Sequence, residues 1–333
     1  MARGRVYNRI FTKEKWEKVN QENKDTIEDF LEEYRQKKKS KGTIDGYYQD
    51  LRIIMILIME HFGNKSVLKM TKKDFRKLTL MFSEKMYLSS SRVNRLKSAV
   101  NSMLEFCTDD DDYSYDINFA KKVSGLPKER VRDDDDDFFF TYEEFVKVRD
   151  ILVERGKLQY AVLWSLGFDS AGRKNELYQV KKTGLIDSNK TNVVIGKRGK
   201  KFPLVYLSDT QELIAKYLEK RGEDDVESLW FTNHNGVHSE ITKNTLYNRM
   251  LYISNVLSEV RGEECEIFVH TMRHSRAECL SQGTDDRLKN PDGTNRKYAL
   301  EEIRIFLHHE SCSTSEGYLK SHDEDKIDEM FGF

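Results

Sequence analysis

Apolar residues recur at a helical period along residues 44–62, and this constrains the fold more than any other stretch of the chain. Ile44, Tyr47, Tyr48, Leu51, Ile54, Met55, Ile58, Met59 and Phe62 fall three or four positions apart. That spacing puts their side chains on one face of an α-helix. Gly63-Asn64 then stops the pattern. Similar stripes flank it. Ile27, Phe30, Leu31 and Tyr34 predict a helix over 24–37. Phe75, Leu78 and Phe82 predict one opened by Thr71 and Asp74, and Val93, Leu96, Val100 and Met103 one that starts in Ser89-Ser90-Ser91. Four short amphipathic helices imply a compact all-α domain over 24–106. Residues 1–23 are basic and expected to lie loose ahead of it.

Two runs of like charge follow, Asp109–Asp112 and Asp133–Asp137. Such blocks repel themselves and favour solvent, so 107–140 reads as an acidic linker between two domains. Neither run has the glycine and spaced glutamate of a calcium loop. The net charge of -1 conceals an asymmetry: residues 1–105 carry 23 Lys+Arg against 14 Asp+Glu, and residues 106–143 carry 5 against 12. A basic domain masked by an acidic connector suits a nucleic-acid partner better than the total suggests. Arg35, Lys37, Lys38, Lys39, Lys72, Lys73, Arg76, Arg92, Arg95 and Lys97 are its candidate phosphate contacts.

The second domain, 141–333, opens with Thr141 and Glu144 at capping-box spacing. Apolar helices are expected over 142–152 and 158–168. Val193-Val194-Ile195 and Phe202–Leu207 then flank Gly196-Lys197-Arg198-Gly199, which reads as a small antiparallel hairpin. Helical patterns return near 210–221, 241–260, 270–280 and 300–308. The fold class is therefore mainly α with a small antiparallel β-sheet. The most apolar run, Ile53–Met59, is far shorter than the roughly 20 residues of a membrane helix. The N-terminus has no apolar signal core. Cys107, Cys265, Cys279 and Cys312 have no CxxC spacing and read as reduced thiols, with no metal site.

Arg173, Lys197, His270, Arg273, His309 and Tyr318 form one chemical set. Each alone is commonplace. A phosphodiester is attacked more easily when its non-bridging oxygens are neutralised, and two guanidinium groups, always charged and matched to phosphate, can do this without a metal. Arg173 and Arg273 are those candidates. His270 precedes Arg273 by three residues, so on a helix both face one way. A histidine there can donate to phosphate or exchange a proton. Lys197, at a hairpin turn, can protonate a leaving oxygen, and His309 adds a donor. Tyr318 would be the nucleophile, its ordinary pKa of about 10 open to lowering by clustered cations.

These residues carry a resemblance. The segments Ser-Ala-Gly-Arg173-Lys-Asn-Glu176-Leu, Val-Val-Ile-Gly-Lys197, His270-Thr-Met-Arg273-His274 and Phe-Leu-His308-His309 with its continuation to Tyr318 are similar to those of the tyrosine recombinases, the phage-integrase type of site-specific recombinase. The resemblance covers 24–106 as a helical core-binding domain and 141–333 as a catalytic domain with a C-terminal tail, 319–333. It implies a C-shaped clamp on double-stranded DNA and a 3′-phosphotyrosine intermediate, with no cofactor. Arg173, Arg273, His270 and His309 would hold the phosphate, Lys197 would be the general acid, and Glu176 would orient Arg173. It further implies a homo-tetramer on DNA, monomeric or dimeric when free, in the cytoplasm of a bacterial or archaeal host at its nucleoid. Ile327, Met330, Phe331 and Phe333 of the tail would dock on a neighbouring protomer. Gly172 and His308 depart from the family pattern, which has an apolar residue and a glycine there, and 284–299 is longer than the usual connection. No separate arm-binding domain is expected ahead of residue 24. An integrase of a phage or mobile element is the leading expectation. A recombinase-fold repressor without the reaction and a type IB topoisomerase are the alternatives.

Overall fold

The computed structural model describes residues 3–127 and 138–309. Tyr318, the tail 319–333 and the run Asp133–Asp137 lie outside the described residues. The chain divides into two units, Met1–Val131 and Arg132–Phe333.

The first unit is helical. α1 (Arg3–Ile10), α2 (Lys13–Lys18), α3 (Gln21–Gln36), α4 (Lys41–His61), α5 (Lys72–Leu80) and α6 (Ser90–Asp109) surround one core. The caps follow from the sequence. Ser40, Thr71 and Ser89 each accept a backbone N–H from the first turn of the helix that follows, and Thr71 with Asp74 forms a capping box. A five-residue π-helical turn, Met81–Lys85, ends the α5 region.

α4 is buried on more faces than its stripe implied. Ile53, Ile56 and Leu57, off the stripe, are buried along with Leu51, Ile54 and Ile58. A helix apolar all round needs neighbours all round, and α1 and α2 provide them. This corrects the expectation that residues 1–23 are loose: Val6, Ile10 and Val19 join the core. Arg52 on α4 fastens the segment, its guanidinium 3.8 Å from the Phe11 ring centroid and 5.0 Å from that of Trp16. The linker is also shorter than 107–140. α6 runs through Asp109, and Tyr115, Ala120 and Val123 pack into the first core while Phe140 packs into the second.

The second unit contains α7 (Tyr142–Glu154), α8 (Leu158–Ser170), α9 (Lys174–Tyr178), α10 (Ser208–Arg221), α11 (Lys243–Arg261), α12 (Val269–Gln282) and α13 (Leu300–Phe306). α8 is the central helix, with Trp164, Leu166 and Phe168 fully buried and α7, α10, α11 and α12 packed around it. The expected hairpin is β1 (Lys190–Ile195) against β2 (Lys201–Val205), in register Val194 to Phe202 and Ile195 to Lys201. A second hairpin, β3 (Phe231–His234) with β4 (Val237–Glu240), was not anticipated. The 284–299 stretch is anchored, not a plain surface loop. Asp285 is buried against Arg276, and Arg287 bridges Asp285, Asp209 and the buried Asp169 of α8. No helix among the described residues is long and apolar enough to cross a membrane.

Candidate active site

Four separate stretches of the second unit meet at one cluster of cations and imidazoles. The first is the break between α8 and α9. Ala171 ends α8 in the left-handed region at φ 48°, and the chain turns through Gly172 to Arg173. A Cβ on Gly172 would lie 3.1 Å from both Leu177 Cδ2 and Ser170 Oγ, so a larger residue would need those side chains to shift by a few tenths of an ångström. Glu176, 2% exposed, holds Arg173 at two points: it accepts the Arg173 backbone N–H at 2.7 Å and Nη1 at 3.2 Å. A buried carboxylate against a guanidinium fixes where the arginine points.

The second and third stretches are joined by Arg273. It sits on α12 one turn beyond His270 and is 2% exposed. Its Nη1 donates to the Ala171 carbonyl at 2.6 Å, and its Nη2 donates to the Leu307 carbonyl and, at 2.9 Å, to His309 Nε2. One guanidinium therefore ties the residues just before Arg173 to those just before His309. An arginine can only donate, so His309 Nε2 accepts and the ring carries its proton on Nδ1. Burial first, then the charges of Arg273 and Arg173, pushes the His309 pKa down to about 3. Arg304 holds its backbone carbonyl at 3.0 Å. His270 opens to solvent, yet partial desolvation and the same two arginines hold it below its ordinary value. His274 packs edge-on to His270, ring centroids 4.7 Å apart, and burial pushes it down to about 4. These imidazoles are neutral near pH 7.

The β1–β2 turn is the fourth stretch. It is closed by the Gly196 N–H on the Lys200 carbonyl at 2.7 Å, with Arg198 left-handed at φ 60°. Lys197 is exposed. An open cavity of ≈ 150 Å³ is lined by Arg173, Lys197, Arg198, Lys200, Phe202, His308 and His309. Of the six expected site residues, Arg173, Lys197 and His309 line this cavity, His270 and Arg273 act electrostatically on His309, and Tyr318 lies outside the described residues. Sequence reasoning missed Arg198, Lys200 and Phe202, although the basic run Lys197–Lys201 was the available signal. Among the described residues no cluster suited to a metal ion occurs. Cys107, Cys265 and Cys279 are free thiols.

In the first unit, Arg35, Lys37, Lys38, Lys39, Lys72, Lys73 and Arg76 are exposed. Arg92 differs from the expectation. It is buried, and its Nη2 lies 2.9 Å from Asp50, which is fully buried. Arg95 shares that carboxylate at 3.1 Å and lies over the Tyr47 ring. Arg92 is thus turned to the interior and not presented at the surface. Lys97 is half-buried, and desolvation holds its pKa below the usual lysine range.

No family model and no curated protein matches the sequence. Solved structures do resemble it. XerH site-specific recombinase bound to a palindromic difH substrate, in a post-cleavage complex, aligns over 87% of this chain and 79% of its own at 18% identity, with a TM-score of 0.62. A lambda integrase tetramer bound to a Holliday junction aligns over 89% and 76% at 13% identity, TM-score 0.62. The Tn1549 transposon integrase with transposon right-end DNA aligns over 92% and 98% at 12% identity, TM-score 0.57. The chain therefore has the fold of the tyrosine recombinases. That is the family its motifs resemble.

Proposed function

We propose that this protein is a site-specific DNA recombinase that cuts and rejoins duplex DNA through Tyr318, in the manner of a phage or mobile-element integrase. The observation that carries the reading is Arg273. One buried guanidinium reaches the Ala171 carbonyl, the Leu307 carbonyl and His309, beside a cavity that Arg173, Lys197 and His309 line. A pure DNA-binding protein has no use for that convergence of chemical groups at one point.

In the proposed reaction the scissile phosphate lies in the cavity against Arg173, and the buried Arg273 adds its charge through His309, so that the non-bridging oxygens are neutralised as charge builds. His309, its proton on Nδ1, and His270 complete the donor ring. The Tyr318 hydroxyl attacks phosphorus, and neutral His270 takes the phenolic proton. The bond from phosphorus to the 5′-oxygen breaks, and Lys197 gives that oxygen a proton. The DNA 3′ end is left as a phosphotyrosine. Attack by the 5′-hydroxyl of another strand reverses every step, so rejoining needs no energy source. Lys72, Lys73 and Arg76 of the first unit would be among the phosphate contacts to DNA. Solved relatives of the same fold bind core sites as dimers and a Holliday junction as a tetramer, which supports a tetramer of this chain on DNA. The setting proposed is the cytoplasm of a bacterial or archaeal host.

The test is a nicked suicide substrate carrying the protein's own site. A covalent protein–DNA band on a denaturing gel, absent in Tyr318→Phe, is expected. Tight site-specific binding without any such band would favour a repressor that keeps the fold and not the reaction. Relaxation of supercoils without site preference would favour a topoisomerase.

A further inference from the structure

His308 stands where the recombinase pattern has glycine, and its backbone is left-handed at φ 54°, a region that glycine occupies freely and other residues only with strain. The side chain is not idle there. Its ring stacks on Phe202 with centroids 3.8 Å apart and planes 29° from parallel. Phe202 follows the Lys197 turn on β2 and pairs with Val194. The edge of the Phe202 ring also lies against Gly196, the residue before Lys197. A Cβ built there would sit 2.7 Å from Phe202 Cε1 and 3.1 Å from Glu176 Oε1. Gly196 has an ordinary φ of -85°, so room and not backbone freedom calls for glycine. His308, Phe202, Gly196 and Glu176 thus form one packed column that ends on Arg173.

The turn needs such an anchor. A lone two-stranded hairpin is marginally stable, and on one face of β1 Val193 and Ile195 are 60% and 49% exposed. Gln179 holds Ile195 by two hydrogen bonds, of 2.9 and 3.0 Å. The other face is held by Val194 and Leu204, which are buried in the core, and what is left to Phe202 is the turn end of β2.

We infer that His308 is a positioning residue for Lys197: by clamping Phe202 it holds the β1–β2 turn against the arginine–histidine cluster, so that the lysine reaches the leaving oxygen. The inference rests on the recombinase reading of Lys197.

The test compares ordinary DNA with DNA whose scissile 5′-oxygen is replaced by sulfur. A thiolate leaves without being protonated, so the sulfur substrate bypasses any defect in the general acid. His308→Gly, which relieves the backbone and removes the ring, should slow cleavage of ordinary DNA about tenfold, the scale of a lost aromatic contact. It should cleave the sulfur substrate at the unmutated rate, as Lys197→Ala should. His308→Phe, which keeps a ring to stack, should recover most of the loss. Equal loss on both substrates, or no recovery with Phe, would overturn the inference and make His308 a direct phosphate contact. An independent arm uses the free protein: amide hydrogen exchange across 196–201 should be faster in His308→Gly and in Phe202→Ala. Unchanged exchange would overturn the clamp. If the unmutated protein forms no adduct with either substrate, the recombinase reading fails, and the exchange arm still decides whether His308 holds the turn.

Discussion

Lowering the pH should destabilise the second unit through His309. The ring is 4% exposed, accepts a hydrogen bond from Arg273, and has its pKa pushed down to about 3, against 6.5 for an unfolded histidine. Folding therefore excludes a proton that the unfolded chain binds. The stability tied to His309 is fully present above about pH 6.5 and is lost as pH falls toward 3. From pH 7 to pH 5 the unfolded state gains most of a proton at this ring and the folded state almost none, a loss of about 2 kcal/mol. His309→Gln keeps an acceptor for Arg273 and removes the titration. Urea unfolding followed by the fully buried Trp164 and Trp230, in a Trp16→Phe background, reports this unit. The other histidines and the carboxylates titrate in both proteins, so the difference isolates His309. The unmutated protein should lose about 2 kcal/mol more than the variant between the two pH values. Equal losses would mean that His309 is not held neutral by burial and by Arg273, and the account of the donor ring would fall with it.

Three further outcomes follow from the same contacts. Glu176→Gln removes the charge that fixes Arg173, and single-turnover adduct formation should slow about tenfold, the worth of one charge-assisted hydrogen bond; an unchanged rate would show that Arg173 is placed by other groups. Asp50→Asn strands the buried Arg92, and the first unit should lose about 3–5 kcal/mol in urea unfolding read by Trp16, in a Trp164→Phe/Trp230→Phe background. Lys73→Ala should lower the slope of log affinity for duplex DNA against log salt by about 0.9, the share of one phosphate contact; an unaltered slope would place that side chain off the DNA.

Most of the helices were legible because period and caps agree. The α4 stripe, Thr71 with Asp74, Ser89, and Thr141 with Glu144 each mark a boundary by a local rule, and the structure keeps them. What stayed hidden depends on contacts distant in sequence. α1 and α2 carry too few apolar residues to announce themselves, and they fold because α4 offers them a surface. Arg92 looks like any surface arginine until Asp50, forty-two positions earlier, is placed beneath it. The β3–β4 hairpin had a readable signal that was passed over: Asn235-Gly236 between two strands, both residues at positive φ. At the site, residue type and spacing singled out Arg173, Lys197, His270, Arg273 and His309, of which Arg173, Lys197 and His309 line one cavity. That Arg273 ties Ala171, Leu307 and His309 together, and that His308 stacks on Phe202, could come only from the packing.

The most direct test of the central claim is mass spectrometry of the trapped complex. After cleavage of a suicide substrate, nuclease and protease digestion should leave one peptide carrying a 3′-linked nucleotide on Tyr318, and Tyr318→Phe should yield none. A nucleotide attached to another residue, or a protein that binds its site tightly and never becomes attached, would contradict the account.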